Sequence, residues 1–316
     1  MINTFSIAFY NVENLFDTKH NAFTLDKAYT PDGEYQWSED RYQRKIQNLS
    51  KVISKIGLKQ SKIPPVFIGL AEIENAACLK DLIFSEKLKP YAYDFVHYDS
   101  PDERGIDVAF LYQKEHFELL YSEIFPLYLT DLENNRDYTR DVLLLHGNLF
   151  SESVYIIVNH WPSRAGGTKT SDYKRVKAAE LVQKIVANIC SENENPKIII
   201  MGDFNDEPNN NSLKNYVVTN NFYNPMLALQ NQKKGSVNYR GKWYLFDQII
   251  LSNTLLEKQV SKIKYVSTHI FDASFIQEKS GRKKGAPKRT YIGKWHQGGF
   301  SDHFPVFTAF QKISRL

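Results

Sequence analysis

The chain has 316 residues, of which 42% are hydrophobic and 24% are charged, and its formal net charge is +4. This composition is that of a globular chain with a full core. It excludes a polycation and a disulfide scaffold, because there are only two cysteines. No apolar run approaches the roughly 20 residues of a membrane span, and the N-terminus, MINTFSIAFY, has no signal-peptide pattern. We expect a cytoplasmic monomer, or a secreted or periplasmic protein if a signal peptide has been removed.

Short apolar runs recur along the chain and predict strands, and two longer segments predict helices. Ser38 begins the first helix, which continues to Gly57, and Ser171 begins the second; both carry an apolar stripe at helical spacing. A shorter helix is predicted over 76–88, and residues 13–37 are predicted to form a long loop with turn residues. The predicted strands cover residues 5–10, 66–71, 91–98, 106–112, 142–150, 154–161, 197–201, 244–252, 263–267 and 305–310.

The predicted elements indicate one mixed α/β architecture. Strands alternate with helices, and some consecutive strands form hairpins, such as residues 142–150 and 154–161, which are joined by SES. This arrangement favours mixed sheets covered by helices. No internal repeat and no linker rich in Pro, Gly or Ser interrupts it, so residues 1–316 are predicted to form a single domain. Cys78 and Cys190 fall in the helical segments, where buried free thiols are expected.

Polar side chains follow most of the apolar runs. The run IIIMG leads to Asp203 and Asn205, and side chains two positions apart on a strand face the same way, so this pair can act on one group. A single carboxylate at a strand end is usually part of a turn or a helix cap. Several clusters that contain only Asn, Asp, Glu and His instead predict a shared site. The other clusters contain Asn11, Glu72 with Glu74, His160, Asp247, and Asp302 with His303.

The residue types in these clusters indicate the chemistry. Carboxylate and amide oxygens select Mg²⁺, with Mn²⁺ or Ca²⁺ as alternatives, over zinc. The chain has no zinc-ligand spacing, no Walker loop, no dinucleotide-binding glycine motif and no Gly-x-Ser-x-Gly elbow. A divalent ion beside carboxylates and two imidazoles suits the hydrolysis of a phosphate ester. The ion neutralises phosphoryl charge, and the imidazoles move protons at the attacking water and the leaving oxygen.

The segments NVENLF, GLAEIEN, VNHWPS, GDFN, FDQI and SDHFPV resemble the motifs of the exonuclease–endonuclease–phosphatase superfamily, in the family's order and across residues 5–310. That superfamily includes pancreatic deoxyribonuclease, abasic-site endonucleases, neutral sphingomyelinases and inositol-polyphosphate 5-phosphatases. The resemblance implies a fold of the deoxyribonuclease-I type. This fold is a four-layer α/β sandwich, in which two packed mixed β-sheets are flanked by helices.

The motif details favour one part of the superfamily. His160 stands where abasic-site endonucleases usually carry a Tyr-x-x-Asn motif, and Asp247 lacks the Trp-Cys-Asp-Arg context of the 5-phosphatases. The segments FYNVENLFD and GGFSDHFPV resemble uncharacterised bacterial members and the nuclease domains of extracellular bacterial enzymes.

The resemblance also implies roles for individual residues. Asn11, Glu72 and Asp302 would hold the metal. Asp203 and Asn205 match the Asp-x-Asn pair that orients the attacking water and the phosphoryl oxygens. An Asx turn that closes a loop is the competing interpretation of this pair.

The two histidines would each have a supporting carboxylate. His303 would pair with Asp247, which orients its imidazole and supports its charge. His160 would be the second imidazole of the site. The deoxyribonuclease branch supports that histidine from the strand that corresponds to ERGIDVAFLY, which makes Asp107 the candidate and Glu103 the alternative.

Further residues are predicted to bind the substrate. Arg140 resembles an arginine that contacts a substrate phosphate, for which a guanidinium is well suited; a solvated arginine is the alternative. Glu74 and Asn75 are predicted either to contact the substrate or to belong to a helix cap. The segment GRKKGAPKRTYIGKW, residues 281–295, precedes the SDH motif, and its basic and aromatic side chains suit phosphates and bases; a solvated loop is the alternative. Its cationic residues are Arg282, Lys283, Lys284, Lys288, Arg289 and Lys294.

Three functions are compatible with these observations. The first is a divalent-metal-dependent nuclease whose partner is a nucleic acid, DNA or RNA, as substrate. The second is a phosphatase or phosphodiesterase that acts on a small or lipid-head-group phosphoester, of the inositol phosphate or sphingomyelin type. The third is a catalytically inactive binding module, which is disfavoured because every expected catalytic position is filled.

Overall fold

The computed structural model describes residues 3–131, 133–164, 167–232, 235–257 and 261–313. Within these residues, two six-stranded sheets form the centre of the molecule. Their strands, in chain order, are β1 (Thr4–Leu15), β2 (Phe67–Ile73), β3 (Tyr93–His97), β4 (Asp107–Gln113), β5 (Phe117–Phe125), β6 (Val142–Leu149), β7 (Glu152–His160), β8 (Ile198–Asp203), β9 (Phe222–Tyr223), β10 (Asp247–Ser252), β11 (Ile263–Ile270) and β12 (Val306–Lys312). The helices are α1 (Glu39–Ile53), α2 (Ala76–Ile83), α3 (Thr168–Glu192) and α4 (Met226–Asn231).

Each sheet is mixed and contains a central parallel pair. The first sheet has the order β11-β12-β1-β2-β4-β3, and β1 runs parallel to β2. The second has the order β9-β10-β8-β7-β6-β5, and β7 runs parallel to β8. The remaining neighbours are antiparallel. Because the carboxyl ends of parallel strands meet at one edge, each central pair brings its terminal side chains together.

The two sheets pack face to face through a buried apolar layer, which includes Phe9, Val158 and Met201. Gly69 lies where they approach closely, because a Cβ built on it would be 2.8 Å from the Met201 sulfur. Helices α1 and α2 cover the outer face of the first sheet, and α3 covers the outer face of the second. The predicted four-layer α/β sandwich is therefore confirmed. None of the described helices is long and apolar enough to cross a membrane.

The helix boundaries and one cysteine differ from the sequence predictions. Helix α3 begins at Thr168, three residues before the predicted Ser171, and α1 ends at Ile53 rather than at Gly57. Strand β1 continues into the predicted loop, beyond a register shift that follows Asn11. Cys78 is buried as expected, but the expectation of burial is wrong for Cys190, which is exposed on α3.

Candidate active site

The polar side chains at the strand ends converge at one edge of the sandwich. Asp203 is the last residue of β8, and its strand neighbours are His160 at the end of β7 and Asp247 at the start of β10. Asn11 lies on β1 in the other sheet, and its Nδ2 donates to Asp203 Oδ2 at 3.0 Å. This contact joins the edges of the two sheets and places Asp203 at the centre of the site.

The Gly-Asp-Phe-Asn turn is shaped by close backbone packing. A Cβ on Gly202 would lie 2.4 Å from the carbonyl oxygen of Asn159, so this position admits only glycine without a shift of the strands. Asn205 has a left-handed backbone with φ of 48°, which Asn tolerates better than most residues. Its backbone N–H donates to Asp203 Oδ1 at 2.9 Å, and its Nδ2 donates to the Trp161 carbonyl at 3.0 Å. Asp203 therefore closes an Asx turn with one oxygen and faces the site with the other.

His303 and Asp247, predicted as a pair, are in direct contact. His303 Nδ1 lies 2.7 Å from Asp247 Oδ2, and the Ser236 hydroxyl donates to the same oxygen at 2.5 Å. The other ring nitrogen of His303, Nε2, lies 3.8 Å from Asp203 Oδ2. The imidazole thus lies between two carboxylates, one that holds it and one at the centre of the site.

These surroundings shift the pKa values of His303 and Asp203. Burial alone would lower the pKa of His303, but Asp247 first and Asp203 second raise it well above its usual value. Burial raises the pKa of Asp203 to about 6, against the opposing effect of His303. At neutral pH these shifts favour a protonated imidazole at His303 beside an ionised carboxylate at Asp203.

His160 has the opposite environment. Its Nε2 lies 3.8 Å from both Glu72 Oε1 and Asp203 Oδ2, and its side chain is almost fully buried. Burial lowers the pKa of His160 well below its usual value, and the positive charges of Arg140 and Arg104 lower it further. The ring is therefore neutral at neutral pH. Its Nδ1 has no hydrogen-bond partner among the described residues.

Glu72 projects into the site from a bulge in β2. The register with β4 shifts between Ala71 and Ile73, so Glu72 is the extra residue. It has φ of 68°, a strained conformation for a glutamate and one that is found more often at functional sites. Its Oε2 accepts the backbone N–H of Asn14 at 2.8 Å. Its Oε1 faces His160 and accepts no hydrogen bond from the described part of the chain.

Asp302 lies on the opposite side of His303 from Asp247. Arg289 Nη2 donates to Asp302 Oδ2 at 2.7 Å, and Asp302 Oδ1 lies 3.9 Å from His303 Nε2. Arg289 also reaches Glu13 Oε1, 3.4 Å from its Nε. The loop that contains Asp302 is thereby tied to β1.

The donor set fits a divalent ion. Glu72, Asn11 and Asp302 offer oxygen ligands, which suit Mg²⁺ and similar ions, and Glu72 Oε1 lies 3.9 Å from Arg104 Nη2. Ligand atoms of Asp203, Asp247 and His303 also lie within 4.8 Å of one another. In this second group His303 Nδ1 already contacts Asp247 Oδ2 at 2.7 Å, so the imidazole and that carboxylate are partners of each other. Glu72, Asn11 and Asp302, the predicted metal ligands, lie beside His160, Asp203 and His303 respectively, and their role as ligands stays a prediction.

Arg140 has a different environment from the one predicted. It is only 7% exposed, so the solvated alternative is wrong. Its Nη1 donates to Asp102 Oδ2 at 2.9 Å, and its Nη2 donates to the Trp161 carbonyl at 3.0 Å. Its side chain is thus engaged within the protein, where its charge acts on His160, and the structure does not place it as an open phosphate-binding arginine.

Asp107 does not support His160, and that prediction is wrong. Its Oδ2 lies 3.4 Å from His97 Nε2, and its Oδ1 accepts the backbone N–H of Ser100 at 3.0 Å. The alternative, Glu103, has an exposed side chain. The carboxylate therefore serves a different histidine, on β3.

Glu74 lies outside the cluster of contacts around Asp203. Its Oε2 accepts the backbone N–H of Asp17 at 2.5 Å. The next residue, Asn75, caps α2 by accepting the N–H groups of Ala77 and Cys78. Burial raises the pKa of Glu74 to about 8. The helix-cap alternative therefore holds for Asn75, and Glu74 borders a separate groove.

The cations of the basic segment, residues 281–295, differ in their contacts. Arg282, Lys283 and Lys284 are exposed, and Lys288 is partly exposed with no ion pair among the described residues. Lys294 pairs with Glu34 at 3.1 Å. The sequence prediction grouped all the cations of the segment together with Arg289, but only Arg289 reaches the candidate metal ligands.

Sequence reasoning missed the residues that brace the site. Arg164 Nε donates to the Asn205 carbonyl at 2.7 Å, and its Nη2 donates to the buried Asp206 at 2.9 Å. Lys45 is buried and donates to the Thr290 hydroxyl at 2.6 Å. Arg164 follows the VNHWPS segment and Asp206 follows GDFN, which was the available signal for this pair. Lys45 had none, because it occurs in an ordinary helical pattern.

Comparison with known proteins agrees with the fold and the motifs. A sequence profile of the Endonuclease/Exonuclease/phosphatase family matches residues 6–312. The chain therefore belongs to this family, whose members are hydrolytic phosphoesterases. No curated protein matches the sequence significantly.

Several solved structures share the fold at low sequence identity. An endonuclease/exonuclease/phosphatase family protein from Bacteroides thetaiotaomicron has a TM-score of 0.61 at 17% identity, with 100% of each chain covered. A humanized TDP2 of D. rerio has a TM-score of 0.61 at 16% identity, covering 98% of this chain and 99% of that chain. The mannosyl-6-phosphatase of Bacteroides thetaiotaomicron has a TM-score of 0.59 at 17% identity, covering 97% and 99%.

Proposed function

We propose that this phosphoesterase is a divalent-metal-dependent nuclease that hydrolyses phosphodiester bonds in DNA or RNA. The observation that carries the hydrolytic part is the pair of imidazoles around Asp203, each with Nε2 3.8 Å from Asp203 Oδ2, whose surroundings shift the pKa of His303 upward and that of His160 downward. Titratable groups whose environments separate their pKa values are the usual basis of acid–base catalysis at neutral pH.

Each group of residues would have a separate role in the hydrolysis. A bound divalent ion, held by Glu72 with Asn11 and Asp302, would neutralise charge on the phosphoryl group. Asp203 is oriented by Asn11 Nδ2 and, with a pKa of about 6, can accept a proton from the attacking water at neutral pH. His303, held by Asp247, carries a proton that can stabilise charge on the phosphoryl group or pass to the leaving oxygen.

The preference for a nucleic acid rests on exposed cations that precede Asp302 in the sequence. Arg282, Lys283 and Lys284 precede the loop that carries Asp302 and are free to approach a polyanion. One solved structure of similar fold is D. rerio TDP2 complexed with a single-strand DNA product, with a TM-score of 0.59 at 16% identity. This likeness supports a DNA substrate only by analogy of fold.

The alternative substrate is a small phosphoester. The same cations would bind a compact polyanion, and one protein of similar fold is named a mannosyl-6-phosphatase. An inactive binding module is less well supported, since both histidines, the four carboxylates within 4 Å of them and both asparagines are present in one site.

A substrate panel tests the proposal. Purified protein is incubated with plasmid DNA, single-stranded DNA, RNA, an inositol phosphate and mannose 6-phosphate, each with Mg²⁺, with Mn²⁺ and with EDTA. We expect cleavage of at least one nucleic acid in the presence of metal and no cleavage in EDTA. The variant His303→Ala serves as the inactive control against a contaminating nuclease. Hydrolysis of the small phosphoesters alone would refute the nuclease proposal, and full activity in EDTA would refute the metal requirement.

A further inference from the structure

A small pocket next to the candidate active site has no role in the proposed proton transfers. Its volume is about 250 Å³, and Tyr29, Tyr35 and Tyr291 line it together with Glu13 and Arg289. Pockets for drug-sized ligands measure roughly 300–1,000 Å³. The pocket is therefore suited to a single ring and its substituents rather than to a larger ligand.

The tyrosines form a fixed aromatic wall. The ring centroids of Tyr29 and Tyr35 are 4.7 Å apart, and those of Tyr35 and Tyr291 are 4.9 Å apart. The Tyr291 hydroxyl donates to the Tyr35 carbonyl at 3.0 Å, and Tyr29 stacks on Phe16 at 4.4 Å. Because the rings are held by the protein, a ligand ring that stacks on them would cause little additional loss of side-chain entropy.

The polar side of the pocket leads directly to the candidate metal ligands. Arg289 lines the pocket and donates to Asp302 at 2.7 Å. Asn14 also lines it, and its backbone N–H donates to Glu72 at 2.8 Å. A phosphate bound near Glu72 and Asp302 would therefore have its attached group at the mouth of this pocket.

From this placement we infer that the pocket holds the nucleobase of the nucleotide on one side of the scissile phosphate. The inference rests on the proposed nuclease function. The tyrosines offer stacking surfaces, which accept any base. The guanidinium of Arg289 supplies N–H donors, and Glu13 Oε1, whose described partner is only Arg289 at 3.4 Å, supplies an acceptor.

Equilibrium binding of reaction products tests the inference without requiring turnover. Affinities for thymidine 5′-monophosphate and for ribose 5-phosphate, which lacks the base, are measured by calorimetry with Mg²⁺ present. The wild type should bind the nucleotide more tightly. Tyr35→Leu removes a stacking ring and should raise the dissociation constant for the nucleotide about tenfold without changing that for ribose 5-phosphate. Tyr35→Phe keeps the ring and should bind both ligands as the wild type does.

Two further variants keep the test decisive. Tyr223→Leu changes an exposed tyrosine of β9 outside the pocket and should leave both affinities unchanged. Tyr29→Leu repeats the experiment on another ring of the wall if Tyr35→Leu does not fold. Equal affinity of the wild type for both ligands, or equal loss of both in the leucine variants, would overturn the inference, as would tighter binding of mannose 6-phosphate than of the nucleotide. The protein could prefer the nucleotide in a Tyr35-dependent way and yet cleave no nucleic acid. This result would support the pocket as a nucleobase site and refute only the nuclease proposal.

Discussion

Replacement of Asp247 by Asn is a direct test of how the site sets the charge of His303. The substitution preserves the shape of the side chain but removes its negative charge from a contact of 2.7 Å, which is buried from solvent. Asp247 is the largest of the influences that raise the pKa of His303, and burial opposes it. Without this carboxylate the effect of burial gains weight, so the pKa of His303 should fall. A smaller fraction of the protein would then carry the proton at neutral pH.

The expected loss of activity follows from the role of that proton. Removal of a general acid or base typically lowers the rate by about 10²–10⁴-fold, and the variant retains the imidazole, so we expect kcat to fall by about 10²-fold. The deficit relative to the wild type should shrink as the pH is lowered, because His303 then regains its proton.

The Asp247→Asn variant should also be less stable to unfolding than the wild type. The raised pKa of folded His303 stabilises the wild type fully below the unfolded value of about 6.5 and loses its effect as the pH rises through the folded pKa. The variant should therefore lose most stability in the acidic range.

Both effects can be measured on one preparation. Turnover of bis(p-nitrophenyl) phosphate with Mg²⁺ is followed across a pH series, and thermal unfolding is recorded at each pH. Asp99→Asn is the matched control, because Asp99 lies 3.8 Å from His97 Nδ1 but its side chain is 88% exposed. A folded Asp247→Asn variant with the kcat and pH profile of the wild type would refute this account of His303.

Four further variants test other parts of the site. Glu72→Gln should raise the Mg²⁺ concentration needed for half-maximal activity and lower the rate, and an unchanged metal titration would remove Glu72 from the ligand set. His160→Ala should lose about 10²–10⁴-fold in kcat, whereas a folded variant with normal turnover would place His160 outside the chemistry. Joint replacement of Lys283 and Lys284 by Ser should raise KM on nucleic acid and flatten its salt dependence; a small chromogenic phosphodiester is the control, and an unchanged salt slope would contradict the prediction. Asp206→Asn should lower the free energy of unfolding by about 3–5 kcal/mol, measured by denaturant titration, because Asp206 is fully buried and lies 2.8 Å from Arg175 and 2.9 Å from Arg164; a loss close to zero would show that this ion pair contributes little to stability.

The central strands and their terminal residues could be predicted because burial affects whole segments. Residues 198–201 lie in a strand between the other sheet and α3, so both faces are apolar and the run IIIM carries no alternation. Such a run is recognisable without knowledge of its neighbours. The polar residues that follow it, Asp203 and Asn205, were therefore placed at the correct end of the strand.

The partners of the side chains depend on strand register, which the sequence does not specify. Asp107 pairs with Ile73, immediately after the bulge at Glu72, and its carboxylate faces His97. A shift of one residue exchanges the two faces of a strand, so the choice between His97 and His160 could not be made from the motif alone. Glu13 is another case, since it lies within the register shift between Asn11 and Leu15 in β1 and is buried against the distant Thr290, whose N–H it accepts at 2.6 Å.

The buried Arg140 contributes to the difference in pKa between His160 and His303. Burial lowers the pKa of both rings, so their difference must come from neighbouring charges. His303 faces the Asp247 carboxylate, whereas Arg140 is the largest charged influence on His160 and disfavours its protonation. If Arg140 were an open phosphate-binding arginine, a substrate phosphate would neutralise its effect and His160 would become easier to protonate when the substrate binds. Its pairing with Asp102 and with the Trp161 carbonyl instead fixes the guanidinium in place before binding. Burial first and the charge of Arg140 second therefore lower the pKa of His160, whereas Asp247 and Asp203 raise that of His303, so the surroundings favour opposite protonation of the two imidazoles around Asp203.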